Sequence, residues 1–360
     1  MNSPEKIELL GLNIPELEEI MIQFGEPRFR GRQLYKWIYQ KGVNSAYEMS
    51  DIPWNLREKL DEQTKISIPR VLKQRVSADG TRKFLFELED KKNIETVLIP
   101  QTSEKNSTYS LCISTQIGCP VCCTFCATGL SGLQRNLKAY EIIGQFLGSR
   151  NELKKRLKVD HPQLITNIVY MGMGEPLLNY KETIESIRLF TDHKGINIGQ
   201  RHITVSTSGE IKGIELLAKE DLQITLAISL HAADNDLRSS LIPLNRKYPL
   251  EKVIMAVEKY IKCTNRRVTF EYIMLDGINV SKKDANNVIN IVKPLLANIN
   301  LIPYNEVENI PYKKPPDNKI YQFYKWLRDA GLNVTIREEK GADIEAACGQ
   351  LKAERWIKNR

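Results

Sequence analysis

The 360 residues predict an α/β protein: a partial, TIM-like barrel of six βα units, preceded by a small N-terminal helical module and a β-hairpin segment. Three observations carry that prediction. After Gln101 short β-branched runs alternate repeatedly with longer amphipathic ones, the pattern by which βα units build a parallel sheet. Residues 1–70 instead break into helix-like pieces bounded by Pro or Gly. Between the two, residues 71–101 switch to a strand-like period with a strong turn signal.

The helical pieces read "PELEEIMIQFG", "GRQLYKWIYQKG" and "PWNLREKLDEQ", which defines an accessory module at 1–70. The stretch "VLKQRVSADGTRKFLFELEDKKNIETVLIP" reads as three strands, with Asp79-Gly80 as a hairpin turn. Residues 102–345 form the expected barrel domain, with strands "YSLCIST", "LITNIVYMG", "RHITVSTSG", "LQITLAISLH", "RVTFEYIML" and "INLIPYN". A further strand-like "NVTIRE" leads to a C-terminal tail at 346–360. In parallel α/β folds chemistry collects at the carboxyl ends of the strands. Here those ends carry "GCPVCCTFC", "GMGEP", "STSG", "SLH", "ML" and "YN", so polar and glycine-rich motifs fall where a site is expected.

Composition narrows the class. No apolar run approaches the roughly 18 residues a membrane span needs, and "MNSPEKIELLGLNIPELEE" is too acidic and polar for a secretory signal, so a cytoplasmic location is expected. Five of the seven cysteines fall between Cys112 and Cys126, unlike the spread framework of a secreted disulfide protein, and metal or redox chemistry is the better reading. The formal net charge of +8 modestly favours a polyanionic partner such as RNA, although many ordinary enzymes are as basic.

The run "STQIGCPVCCTFCATG" can be parsed as two abutting CxxC knuckles or as Cys119, Cys123 and Cys126 in C-x₃-C-x₂-C, with Cys122 a spare. Paired zinc knuckles need a connector so that four sulfurs converge on one ion, and adjacent Cys122 and Cys123 leave none. An iron–sulfur cluster accepts three thiolates from one short loop and keeps one iron without a protein ligand. Cys263 and Cys348 are too isolated to complete a ferredoxin spacing.

The C-x₃-C-x₂-C pattern after the first barrel strand, with Phe125 before the last cysteine, resembles the radical S-adenosylmethionine (SAM) signature. Together with "NIVYMGMGEPLLNY", "ITVSTSG", "AISLHA", "INLIPYN" and "GADIEAACGQL", it resembles the RlmN/Cfr family of radical SAM RNA methyltransferases over essentially the whole chain. "GMGEPLLN" and "GEPRFRGRQLYKWIY" are similar to the branch that methylates C2 of an adenosine in 23S ribosomal RNA and in some transfer RNAs. The other branch methylates C8 of the same ribosomal adenosine. A rival of another class is a metal-stapled RNA-binding protein without catalysis.

The resemblance implies one [4Fe–4S] cluster on Cys119, Cys123 and Cys126, SAM on the free iron, and an external flavodoxin-like or ferredoxin-like electron donor. One SAM methylates a cysteine, a second gives a 5′-deoxyadenosyl radical, and the methyl-derived carbon radical adds to C2, which is too electron-poor for ordinary methyl transfer. By position Cys348 resembles the methyl-carrying cysteine, and Cys112 the one that resolves the RNA–protein tether by forming a disulfide. The two must therefore come within disulfide reach. Gly174, Glu175, Ser206, Ser229, His231 and Asn305 resemble SAM-contacting positions, and Glu95 a proton acceptor. Cys263 matches no functional position and is expected to be packing. Arg28, Arg30, Arg32, Lys36 and Lys41 suit RNA phosphates, whereas Leu34, Trp37 and Ile38 have core spacing. The chain is expected to act as a monomer, away from membranes.

Overall fold

The computed structural model describes residues 6–101, 108–158 and 164–352. Its N-terminal module opens with β1 (Ile7–Glu8), then α1 (Ile14–Gln23), α2 (Phe29–Tyr35), α3 (Trp54–Gln63) and β2 (Thr64–Lys65), with β1 and β2 paired in parallel. Asn13 and Glu16 cap α1 reciprocally: Glu16 N–H donates to Asn13 Oδ1 at 3.0 Å, and Asn13 N–H to Glu16 Oε2 at 2.7 Å. The second helix does not run on as the sequence predicts. Residues Lys36–Lys41 widen into a π-helix that ends at Gly42, whose N–H reaches Trp37 O at 3.0 Å. Leu34, Tyr35, Ile38 and Tyr39 are all buried along this segment. Tyr35 Oη donates to Asp192 Oδ2 at 2.8 Å, and the buried Arg150 donates to Tyr39 O at 2.9 Å, so the module is riveted to the barrel.

The expected hairpin segment forms β3 (Arg70–Val76), β4 (Arg82–Glu87) and β5 (Asn93–Gln101), antiparallel throughout, with Asp79-Gly80 in the first turn. It is not a separate linker. β5 pairs antiparallel with β6 (Thr108–Cys112), so the three strands continue one edge of the barrel sheet.

A short hairpin, β7 (Gln116–Gly118) with β8 (Leu133–Asn136), encloses the cysteine loop and the four-residue α4 (Ala127–Leu130). The barrel strands that follow are β9 (Ile165–Tyr170), β10 (Ile203–Thr207), β11 (Thr225–Ser229), β12 (Val268–Met274), β13 (Ala297–Pro303) and β14 (Val334–Ile336). They lie in the order β6-β9-β10-β11-β12-β13-β14, all parallel. The partial barrel is therefore present, with the strand-like "NVTIRE" serving as its seventh parallel strand.

Helices α5 (Ala139–Leu157), α6 (Tyr180–Thr191), α7 (Ile211–Leu217), α8 (Asn235–Leu241), α9 (Leu250–Thr264), α10 (Lys282–Val292) and α11 (Asp317–Asp329) fill the crossovers. In α9, Val253, Ala256, Val257 and Tyr260 are buried, an i, i+3, i+4, i+7 face. Cys263, in the last turn of α9, is exposed, which corrects the expectation that it packs. Gln145 of α5 fixes the top of the barrel: its side chain accepts from Ser114 N–H at 2.8 Å and donates to Ser114 O at 2.9 Å. No described helix is long and apolar enough to cross a membrane.

Candidate active site

The chain leaves β6 at Cys112 and enters the β7–β8 hairpin, which pinches the cysteine loop at its base. A Cβ on Gly118 would lie 1.7 Å from Gly132 O, and its φ is +75°, so only glycine fits there. That close approach lets the next residue, Cys119, donate its N–H to Gly132 O at 3.0 Å. Cys119, Cys123 and Cys126 then all line one cavity of about 150 Å³, while Cys122, at φ +56°, is exposed and lines neither of the two cavities at the strand ends.

Burial holds the Cys123 thiol well above its ordinary range, reinforced by the charges of Cys126 and Cys119, and burial raises the Cys119 and Cys126 thiols as well. Thiols crowded out of water give up their protons readily only to a strongly positive centre. Among the described residues no three His, Cys, Asp or Glu side chains are grouped so as to hold a metal ion. Three thiols of one loop facing a shared space nevertheless suit a cluster, which spreads its ligands over separate irons.

The same cavity collects the carboxyl ends of the strands. After β9 the turn brings Gly174, whose Cβ would sit 2.7 Å from Gln116 Cβ, at φ +108°. Glu175 is buried; its Oε2 accepts from Ser208 N–H at 2.7 Å and its Oε1 from Leu177 N–H at 3.2 Å, and burial raises its pKa. The carboxylate thus ties "GMGEP" to "STSG". Ser206, Ser229 and His231 follow on the same wall. Burial drives the His231 pKa down to about 3, and its Nδ1 accepts from Ile273 N–H at 3.0 Å, so a neutral ring carries its proton on Nε2.

A second cavity, of about 320 Å³, adjoins the first. Cys112, Asn305 and Lys340 line it, and Cys348 and Arg337 line both. The structure therefore brings eleven of the twelve expected site residues to two adjacent cavities. Cys112 and Cys348 are both free thiols. Burial, and then the charge of Cys348, pushes Cys112 up to about 12. Asn305 faces the larger cavity rather than the smaller, and its buried Oδ1 has no hydrogen-bond partner among the described residues. Glu95 is fully buried and lines neither cavity; it pairs with Lys83 at 3.3 Å.

Two arginines escaped the sequence reading. Arg238, in α8, is fully buried and donates to Leu230 O, Ser208 O, Ser229 O and Asn245 Oδ1 at 3.1, 2.8, 2.9 and 2.6 Å. Its guanidinium, lowered to about 10 by burial and favoured by the charge of Cys123, ties two strand ends together beside the thiols. Nothing in "NDLRSSL" distinguishes it from a solvated helix charge. Arg337 follows β14 and senses the charges of Cys348, Glu271 and Cys112; a basic residue at a strand end was a usable signal there.

In the N-terminal module Arg28, Lys36 and Lys41 are exposed. Arg32 is paired with Glu18 at 2.7 Å and Arg30 donates to Gln33 Oε1 at 2.7 Å, so part of the expected basic patch is engaged within the module.

Residues 113–286 match the Radical SAM superfamily. A partial βα barrel with three thiols on the loop after its first strand defines a radical SAM enzyme, a class that uses a [4Fe–4S] cluster and SAM. Residues 7–66 match the ribosomal RNA large subunit methyltransferase N-terminal domain. The chain is 64% identical over 354 residues to a probable dual-specificity RNA methyltransferase RlmN of Syntrophomonas wolfei, covering 98% of this chain and 99% of that one. It is 45% identical to another from Dictyoglomus turgidum, covering 98% of each. It superposes with a TM-score of 0.90 on the crystal structure of a radical SAM methyltransferase from Sphaerobacter thermophilus, at 40% identity over 96% of this chain and 99% of that chain. The chain belongs to the RlmN family of radical SAM RNA methyltransferases.

Proposed function

We propose that this enzyme methylates C2 of adenine in 23S ribosomal RNA and in some transfer RNAs, using Cys348 as the methyl carrier and two SAM per turnover. One observation carries the reading: Cys348 stands in the walls of both cavities, next to the three loop thiols on one side and Cys112 on the other. A carrier that takes a methyl group from SAM and delivers carbon to RNA must face both compartments.

Cys119, Cys123 and Cys126 would hold the cluster, which when bound supplies the electron that splits SAM into methionine and a 5′-deoxyadenosyl radical. The turn at Gly174 and Glu175 would receive the SAM ammonium, because a buried carboxylate balances a cation. Ser206, Ser229 and His231 offer hydroxyls and one Nε2–H to the same ligand, and the unpaired Asn305 Oδ1 offers an acceptor. Glu95, ion-paired with Lys83, is the proposed acceptor of the proton lost from C2. With one electron passed from the adduct to the oxidised form of the electron-donor protein, Cys112 would attack the tethered Cys348 sulfur. The bond from that sulfur to the methylene breaks, the carbon takes the Cys112 proton and becomes the methyl group, and a disulfide is left. Arg28, Lys36 and Lys41 are the proposed phosphate contacts of the accessory module. The electron would come from a flavodoxin-like or ferredoxin-like donor in the cytoplasm, with the enzyme a monomer.

The test is anaerobic turnover on ribosomal and transfer RNA fragments with SAM and a reductant, followed by mass mapping of the nucleoside. 2-Methyladenosine is the expected product in both RNAs. Methyl at C8 would move the chain to the other branch, and no 5′-deoxyadenosine at all would leave only an RNA-binding protein.

A further inference from the structure

Cys348 rides on the segment that follows β14, and that segment is held from below by two neighbouring strands. Lys83 on β4 lies opposite Val97 of β5, and Leu85 lies opposite Glu95. Lys83 and Glu95 are therefore diagonal neighbours on one face of the sheet. Their side chains are 2% and 0% exposed and meet at 3.3 Å.

A buried ion pair is tolerated only when its remaining hydrogen-bonding capacity is met. Here the Cys348 segment supplies part of it. Lys83 Nζ donates to Glu345 O at 2.9 Å, and Glu95 Oε2 accepts from Lys352 N–H at 2.6 Å. Those two backbone groups flank the cysteine, one three residues before it and the other four residues after. We propose that Lys83 and Glu95 act as one clasp that positions the Cys348 arm, which makes Lys83 a positioning residue for the thiol. The inference rests on Cys348 being the methyl carrier.

The pair is not needed to hold β4 against β5. Those strands are joined at six consecutive register positions from Arg82 to Glu87, and the clasp's hydrogen bonds point away from that ladder to the arm. Further ties reinforce the same segment: Gly341 N–H donates to Asp79 Oδ2 at 3.0 Å, Ala127 N–H to Gly349 O at 2.8 Å, and Thr128 Oγ1 to Leu351 O at 2.7 Å. The last two come from the helix that begins just after Cys126, so the arm is braced between the clasp and the cysteine loop.

The test uses the full-length, cluster-loaded enzyme without RNA. Lys83→Met keeps length but removes charge and donor, Lys83→Arg keeps the charge, and Glu95→Gln serves if Lys83→Met does not fold. Three quantities are read: alkylation of Cys348 against the exposed Cys263 by mass spectrometry, amide exchange along 345–352, and iron content. Lys83→Met is expected to speed both Cys348 alkylation and arm exchange about tenfold, the scale of one lost charge-assisted hydrogen bond, with iron content unchanged and Lys83→Arg near wild type. Unchanged arm exchange, or loosening shared equally by β4 and β5, would overturn the clasp. None of the three readouts needs RNA or turnover, so the proposal fails separately from the carrier role, which is judged by whether Cys348→Ala still methylates RNA.

Discussion

Cys348→Ala is expected to lower RNA methylation on the order of 10⁶-fold, the scale on which loss of a covalent nucleophile registers, while iron content and SAM binding stay at wild-type levels. The separation is the informative part. Cys348 contributes to the walls of both cavities but lies outside the loop that bears the other three cavity-lining thiols, Cys119, Cys123 and Cys126. Removing its sulfur therefore takes away the group that carries the methyl and leaves the group that would generate the radical. Methylation assays should be run beside iron determination and SAM binding on the same preparation. A variant that retained RNA methylation would show that the methyl reaches C2 by another route.

Cys112→Ala should fail differently. Cys112 is buried at the end of β6 and lines the larger cavity with Cys348. If it resolves the tether, its loss stops turnover after the carbon–carbon bond has formed, and protein–RNA adduct accumulates toward one per active chain. Denaturing gels resolve that species directly. The reaction should begin and stall, so 5′-deoxyadenosine still appears in a single turnover. A Cys112→Ala enzyme that turned over without adduct would assign the resolving step elsewhere. The thiol is held up to about 12 by burial and by the charge of Cys348, so raising the pH within the usual working range should not by itself generate the thiolate. Its activation must come from the state of Cys348, and Arg337, which the charges of both sulfurs favour in its cationic form, stands nearby.

Much of this was legible in the sequence for simple physical reasons. Alternation of β-branched runs with amphipathic stretches marks buried parallel strands and their covering helices, and it located every barrel strand from β6 to β13. Strand ends then located the site, because polar and glycine-rich residues such as those of "GMGEP" and "SLH" gather there. What escaped depends on tertiary neighbours. The π-helical widening at Lys36–Lys41 accompanies the burial of Tyr35 and Tyr39 against the rest of the chain. Arg238 looks like a solvated charge until four oxygens close around it. Cys263 matches no functional position, and only the structure shows that it lies exposed in the last turn of α9. Lys83 and Glu95 alternate correctly along their strands, but only the pairing register shows that they are diagonal partners, and only the arm shows what they hold.

The central claim is that three sulfurs of one loop, with Cys122 left out, hold an oxygen-sensitive iron–sulfur cluster. Iron and sulfide per chain, measured on anaerobically reconstituted wild type, Cys122→Ala and Cys119→Ala, tests it most directly. Four irons and four sulfides are expected in the first two proteins, and neither at stoichiometric level in Cys119→Ala. Zinc in a closed four-sulfur shell, or a cluster that Cys122→Ala cannot hold, would contradict the account.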